Sequence, residues 1–357
     1  MTTQKSQTPE PRISDGAGAR RSMRIGVMCG RLQGFVDGHP EEALAWASSG
    51  GYDGVLFTTP RAISPELDGV ALKEAGELAD QLGLYLEVGI GSLGPFGDAD
   101  ERLAELNAHI DAAAAAGCRE FFAYTRTERQ HASVPHGVQL AAVQKTLDAL
   151  VPRLRDEGLR LNLKTHEDLS SHEVLRLVDA SGADTAGPDV VGVSLDVANL
   201  VVRGEDPVEA TRRLAPHVHQ THLEDVALYI VERGLRRRLR PCGAGVLDWD
   251  AILGILVEKS PARRLTLEQH AGRFDLDIFD PAWFDAEPHV TARELAVLVK
   301  HAVDCERRAA SGGLPHLAAY DDDAGHLARR DELAESARWL RHILDSISEG
   351  HHGSSRR

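Results

Sequence analysis

The chain has 357 residues, 42% of them hydrophobic in type, and a formal net charge of −15. Chains longer than about 150 residues often hold two domains, yet an α/β barrel routinely reaches about 250 residues as one unit. The acidic balance disfavours nonspecific binding to nucleic acid phosphate, which needs a basic footprint, and docking on an anionic membrane surface. Cys29, Cys118, Cys242 and Cys305 stand far apart without a CxxC pair, so reduced thiols in a cytoplasm are expected. The polar first 22 residues hold no apolar core of signal-peptide length, and no run reaches the roughly 18 apolar residues of a spanning helix.

Residues 1–22 are expected to be disordered. Residues 23–29 (MRIGVMC) read as a first strand and 39–49 as a helix with Pro40 in its first turn. Residues 52–58 (YDGVLFT) make the second strand, and 65–82 an amphipathic helix stopped by Gly83. The third strand is 84–89, with Glu87 inside it, followed by a helix over 100–116 and Gly117. The fourth is 119–125 (REFFAYT), followed by a helix over 136–157 and Gly158. Strands five to eight fall at 159–165, 189–195, 217–223 and 265–268, with helices over 170–181, 208–214 and 249–258 between them. Eight strands alternating with helices predict an α/β fold, a closed (β/α)8 TIM barrel, and no G-x-G-x-x-G follows the first strand. The expected organisation is a barrel over 23–310, a C-terminal helical extension over 311–347 and a disordered tail over 348–357. Residues 291–309 are expected to be the eighth barrel helix. A further amphipathic helix over 322–347, carrying Leu327, Leu333, Ala337, Trp339, Leu340 and Ile343, covers the barrel flank or a second subunit.

Buried parallel strands read as continuous apolar runs, so an ionisable residue at the C-terminal tip of one needs a reason. Here four successive strands end that way: LRLNLKTHED in Lys164 and His166, VVGVSLDVANL in Asp196 and Asn199, VHQTHLED in His222, and RLTLEQH in Glu268 and His270. In a barrel those tips form the active-site mouth. Asp196, His222 and Glu268 have the composition of a site for Mn, Mg, Zn or Co, although each alone is equally a salt-bridge partner. Asn199 either hydrogen-bonds a substrate hydroxyl or caps the turn. Arg31, Glu87, Tyr124, Arg126 and His270 are expected to line the same mouth. The basic run 233–240 (RGLRRRLR) is a solvated loop face or a clamp for a substrate anion, and Arg240 is the member placed to reach the site.

The motifs LDVAN, VHQTHLED, CGAGVLDW and LTLEQ, in this order, resemble the sugar phosphate isomerase/epimerase superfamily. This is the xylose isomerase-like TIM barrel that also contains apurinic endonucleases, sugar epimerases and dehydratases. The resemblance covers about residues 23–300. It implies one divalent ion (Mn, Mg, Co or Zn) held by Asp196, His222 and Glu268. Asp225 falls on the family's His-x-x-Asp pattern, and Gly243 and Gly245 on its Gly-x-Gly. Where the family has Glu-Asn-His after strand five, this chain has Lys164, Thr165 and His166. An ammonium has no lone pair for a metal. Three outcomes follow: a metal kept by three ligands with His166, Glu167 or water filling the gap; Lys164 as acid/base or oxyanion-stabilising group on a metal-bound carbonyl; or a metal-free site with Lys164 paired to Asp196 or Glu268 and open to a Schiff base with a keto substrate. The resemblance implies an isomerase or epimerase acting on a sugar, keto-sugar or cyclitol by proton transfer next to a carbonyl. Lys164 and Glu268 would be its catalytic pair, and His166, Asn199, Arg240, Arg31 and His270 would bind substrate. The alternatives are a lyase using Lys164, an apurinic-endonuclease-type phosphoesterase, and an inactive barrel kept as a binding subunit. A small sugar-like partner, no nucleic acid, no membrane and a possible homo-oligomer complete the expectation.

Overall fold

Short apolar runs, each followed by a helix that stops at a glycine, set the rhythm of the first half of the chain. Gly83, Gly117 and Gly158 sit just past three of these helices at φ of 70°, 83° and 64°, the left-handed step that only glycine takes without strain. The structure is a computed structural model and describes residues 23–354 apart from 31, 33, 130, 131, 183–189 and 321–329. In chain order its elements begin β1 (Arg24–Met28), α1 (Pro40–Ser49), β2 (Gly54–Phe57), α2 (Gly69–Gln81), β3 (Tyr85–Ser92), α3 (Ala99–Ala115) and β4 (Glu120–Tyr124). They continue through α4 (His136–Asp156), β5 (Arg160–Lys164), α5 (Ser171–Gly182), β6 (Val191–Asp196), α6 (Val197–Val202), α7 (Pro207–Leu214) and β7 (Val218–His222). Then come β8 (Asp225–Val231), β9 (Gly234–Arg240), α8 (Trp249–Lys259), β10 (Arg264–Leu267), β11 (Arg273–Leu276), α9 (Pro281–Ala286), α10 (Ala292–Ala310) and α11 (Arg330–Ser354).

Strands β1 to β7 pair in sequence order, all parallel, and β10 pairs with β1, Arg24 opposite Arg264. The Leu223 N–H donates to the Thr266 carbonyl at 2.8 Å and the Glu268 N–H to the Leu223 carbonyl at 3.1 Å, which joins β7 to β10 and closes the barrel. Alternation along each strand then sorts the side chains. Ile25, Val27, Val55, Phe57, Phe121, Leu161, Leu163, Val193, Leu195 and Leu265 face the helices and form the main core. Met28, Leu56 and Phe122 form a separate small cluster. Cross-barrel bonds mark the interior: Thr266 Oγ1 donates to Glu87 Oε2 at 2.7 Å, and Asn162 Nδ2 to Gln220 Oε1 at 2.9 Å.

Glu87 is therefore an interior residue below the mouth. Burial, only partly offset by the Thr266 hydroxyl and Arg264, pushes its carboxyl up to about 7. The folded state holds this proton more tightly than the unfolded chain, so the stability it contributes is complete below about 4.5 and lost as pH rises through about 7. Glu87→Gln keeps an acceptor for Thr266 but cannot ionise. Urea unfolding at pH 8 is expected to show the variant more stable than wild type by up to about 3 kcal/mol, an advantage absent at pH 4. Equal pH slopes for the two proteins would refute the assignment.

The second half departs from the sequence expectation in three places. The basic run is β9, an inner strand of an antiparallel sheet ordered β11–β9–β8. The helix expected to close the barrel, α10, packs mainly on β8, where Cys305 and Ala309 join Ala227, Tyr229, Leu314 and Tyr320 in a small core of their own. The barrel flank over β10 and β1 is covered by α11, packed against α8 and burying Leu333, Ala337, Leu340 and Ile343. Its Arg341 donates to the Gly51 carbonyl and its Arg330 lies over the Trp46 ring, so it bridges back to α1 and the turn that follows it. Helical periodicity gives each helix an apolar face but does not say which surface that face covers. The helical backbone also runs on to Ser354, through residues expected to fray. The expected N-terminal tail lies outside the described residues.

Candidate active site

Four strand ends put their last inward side chains at one level. Lys164 closes β5, Asp196 closes β6 and His222 closes β7 with Asp196 and His222 in register, while Glu268 follows β10 directly. The Lys164 ammonium touches Glu268 Oε2 and stands 3.2 Å from Asp196 Oδ2. His222 Nδ1 is 2.6 Å from the same Glu268 oxygen but outside hydrogen-bond geometry, and both of its ring nitrogens are buried without a hydrogen bond. The ring packs edge-on against Phe122, at 4.6 Å and 74°. Asp196 Oδ2 also accepts from Asn199 Nδ2 at 2.8 Å, and its Oδ1 caps α6 through the Asn199 N–H at 3.3 Å. Asn199 is thus a partner of Asp196 as well as the cap of its turn.

Burial would lower the Lys164 pKa, but the Glu268 and Asp196 carboxylates more than offset it and hold the ammonium above the usual lysine range. Burial would likewise raise Glu268, but the Lys164 ammonium pulls it well below the usual carboxylate range. Burial pushes Asp196 up to about 7, against the pull of Lys164, so the dominant ion pair is Lys164–Glu268. His222 drops to about 4 through burial and the neighbouring ammonium, so its imidazole is neutral.

Above this floor opens a cavity of about 1000 Å³ with Lys164, Asp196, Asn199 and Glu268 in its lining and Phe122, Tyr124, Phe274 and Trp283 on its walls. Two histidines reach it, each with Nδ1 against a carboxylate: His166 on Asp168 Oδ1 at 2.9 Å, and His270 on Glu224 Oε2 at 3.2 Å. Asp168 is itself held. Its Oδ2 accepts from the Thr127 N–H at 2.6 Å, the Thr127 hydroxyl at 3.0 Å and the Thr125 hydroxyl. Burial would raise its pKa, but His166 and these donors lower it to about 2. Tyr124 stacks on His166 at 5.5 Å and carries Arg126 on its ring.

The structure brings Lys164, Asp196, His222, Glu268, His166, Asn199 and His270 together. Arg240 is absent from the cavity lining and lies over the Tyr320 ring at 5.8 Å, and Arg31 is outside the described residues. The arginine of that run which reaches the site region is Arg237, 1% exposed, donating to Asn199 Oδ1 at 2.8 Å and Glu167 Oε1 at 2.7 Å. Sequence reasoning passed over Asp168, Glu224 and Arg237. The first stands two residues from His166 and the second two from His222, a spacing that on an extended segment returns to the same face. The third sits in a run whose two leucines, Leu235 and Leu239, stand four apart, a spacing that fits a strand or a helix equally, so no local signal marks Arg237.

The Asp225 carboxylate lies outside the cavity and organises the turn after β9. It accepts the backbone N–H groups of Val226 (2.7 Å), Gly243 (3.0 Å), Gly245 (3.1 Å), Val246 (3.0 Å) and Leu247 (3.1 Å) and the Trp249 indole N–H (2.8 Å). A Cβ on Gly245 would fall 2.1 Å from its Oδ1, which is why glycine stands there.

A model of the family described as xylose isomerase-like TIM barrel matches residues 44–301. Among curated proteins, an uncharacterized protein, YihM, of Escherichia coli K12 is 31% identical over 103 residues, 29% of this chain and 30% of that one. A 3-oxo-isoapionate decarboxylase of Pectobacterium atrosepticum is 30% identical over 108 residues, 30% of this chain and 38% of that one. The chain therefore spans well under half the length of both relatives. Among solved structures, a D-psicose 3-epimerase with D-tagatose from Clostridium cellulolyticum H10 superposes with a TM-score of 0.57 at 13% identity, over 80% of this chain and 98% of that one, a likeness of fold.

Proposed function

The chain belongs to the xylose isomerase-like TIM barrel family, and from that membership we propose an enzyme that moves a proton next to the carbonyl of a sugar-like substrate, as an isomerase or epimerase. The observation that carries this reading is the Lys164 ammonium in the floor of the cavity. An ammonium has three donors; Glu268 takes one, and Asp196 stands 3.2 Å away as an ion-pair partner that can take a second. The third is left for a substrate oxygen. When the C–H bond beside the carbonyl breaks, its electron pair forms the C=C bond of an enediolate and the carbonyl π pair moves to oxygen, where a fixed cation in a dry site stabilises it.

Glu268, expected as the base, is committed to Lys164 and held well below the usual carboxylate range, which makes it a poor acceptor. His166 suits the role better. Its Nδ1 is fixed by Asp168, so the neutral ring presents Nε2 as its basic atom. A proton delivered to the opposite face by a second donor gives an epimer, whereas the proton His166 took, returned to the neighbouring carbon, gives an isomer. His166→Asn is expected to lower kcat by about 10²–10⁴-fold with KM little changed. A loss confined to KM would leave His166 as a binding group only.

The expected divalent ion does not fit the residues as they stand. Its place between Asp196 and Glu268 is filled by the ammonium. A doubly charged ion 4 Å from that ammonium would be repelled by about 8 kcal/mol even at an effective dielectric of 20. Among the described residues no group of three or more His, Cys, Asp or Glu side chains is arranged to hold a metal.

The local likeness to a decarboxylase favours a second reading, in which carbon dioxide leaves a β-keto sugar acid, the pair of the breaking C–C bond becomes the C=C bond of an enolate, and the same cation stabilises the carbonyl oxygen that takes up the π pair. Proton NMR in D₂O distinguishes the two. Wild type incubated with D-tagatose, D-psicose and other ketoses is expected to exchange the hydrogen beside the carbonyl, whereas a decarboxylase leaves ketoses alone and releases carbon dioxide from 3-keto acids. Inertness toward both substrate classes would sink the carbonyl chemistry altogether. No helix among the described residues is long and apolar enough to cross a membrane, so a dissolved small molecule is the substrate to test first.

A further inference from the structure

The register of four strands gathers Asp196, His222 and Glu268 at one spot, and the cation at that spot is a side chain of the same protein. Lys164 Nζ contacts Glu268 Oε2 and is 3.2 Å from Asp196 Oδ2, so an inward oxygen of each carboxylate already faces positive charge. His222 is the odd member. Both its nitrogens are buried with no hydrogen bond, although folding has stripped them of water. Buried polar groups are nearly always partnered, and an exception needs a reason. An imidazole beside an aspartate and a glutamate, its Nδ1 only 2.6 Å from Glu268 Oε2 yet neither ring nitrogen in a hydrogen bond, has the donor chemistry of a metal ligand set whose cation has become part of the chain.

We propose that Lys164 is the built-in cation of this site: it stands in for a divalent ion, keeps one out, and leaves Asp196, His222 and Glu268 as a latent ligand set that a carboxylate at position 164 restores. A glutamate there would add a fourth ligand and remove the repelling charge in one substitution. Because only binding is at issue, the outcome is separate from the carbonyl chemistry above.

Wild type, Lys164→Glu and Lys164→Gln are stripped with chelator, equilibrated with Mn²⁺ or Zn²⁺, desalted and assayed by elemental analysis, with thermal melts run with and without the ion. Wild type is expected to retain less than about a tenth of an ion per chain and to melt at the same temperature in both conditions. Lys164→Glu is expected to retain about one ion and to melt higher with it, and a second change, His222→Ala, to abolish that binding. Lys164→Gln removes the charge without adding a ligand and serves if the glutamate variant fails to fold. It is expected to bind at least about tenfold more tightly than wild type. Uptake by either folded variant, with none by wild type, supports the assignment. Stoichiometric metal in wild type that His222→Ala removes overturns it. So do two folded variants that both take up no metal, since the lysine is then not what excludes the ion.

Discussion

Lys164→Met is expected to lose at least about a thousandfold in turnover while retaining the barrel, because it removes the cation proposed to meet the developing oxyanion. The same change strands two carboxylates. Asp196 is 1% and Glu268 4% exposed, and breaking a buried ion pair from one side typically costs about 3–5 kcal/mol. The loss should depend on pH with a definite sign. In wild type, Glu268 is held low and Lys164 high, so their mutual stabilisation is present from the acid side, where Glu268 protonates well below 4.5, up past the ordinary lysine value of 10.5. Without the ammonium both carboxylates are raised above their unfolded values, so the variant is least impaired at acid pH and loses stability as pH rises. Urea unfolding at pH 5 and pH 8 reads this directly. A stability gap between variant and wild type that is flat or narrows toward pH 8 would show that Lys164 does not neutralise this pair.

Asp225→Ala is expected to be the most damaging single substitution away from the cavity. One carboxylate serves five backbone N–H groups and an indole N–H in a site with no exposure. Each buried donor left without an acceptor costs about 1–3 kcal/mol, so the loss should exceed about 4 kcal/mol even if some donors find other partners. Asp225→Asn keeps one acceptor oxygen and turns an amide NH₂ against the donors of the other, so it should fall between alanine and wild type. Chemical denaturation of the three proteins checks the order. A loss under about 1 kcal/mol for alanine would mean that the turn carries its own hydrogen bonds.

Much of the barrel is legible in the chain. The strand runs are short and carry apolar residues toward the helices, the helices stop at glycines that later prove left-handed, and charged residues stand at successive strand tips, which together leave few architectures open. Lys164 is visible as a departure, and its sequence position leaves open whether it faces a metal or replaces one. That is decided by the distance to Asp196 and Glu268 across the barrel, and no local pattern encodes it. Arg237 fails for a related reason: a guanidinium is buried when Glu167 and Asn199, from two other strand ends, come to meet it. Residues 291–309 form the helix their spacing predicts, but it packs on β8 instead of closing the barrel, because amphipathic spacing identifies a face without naming its neighbour.

The closure of the barrel also sets a schedule for its synthesis. The first strand pairs with the last barrel strand, Arg24 opposite Arg264, and the flank of that seam is covered by the final described helix, whose Arg330 returns to Trp46 near the beginning. At about 5–20 residues per second, a ribosome leaves β1 with one bare edge for on the order of tens of seconds before its second partner emerges. An open parallel edge of that lifetime is a template for pairing with another nascent chain. Crowded or heated translation is therefore the circumstance in which this protein is most exposed to misassembly, and slower initiation, with more widely spaced ribosomes, is the condition under which its yield of folded chains should rise.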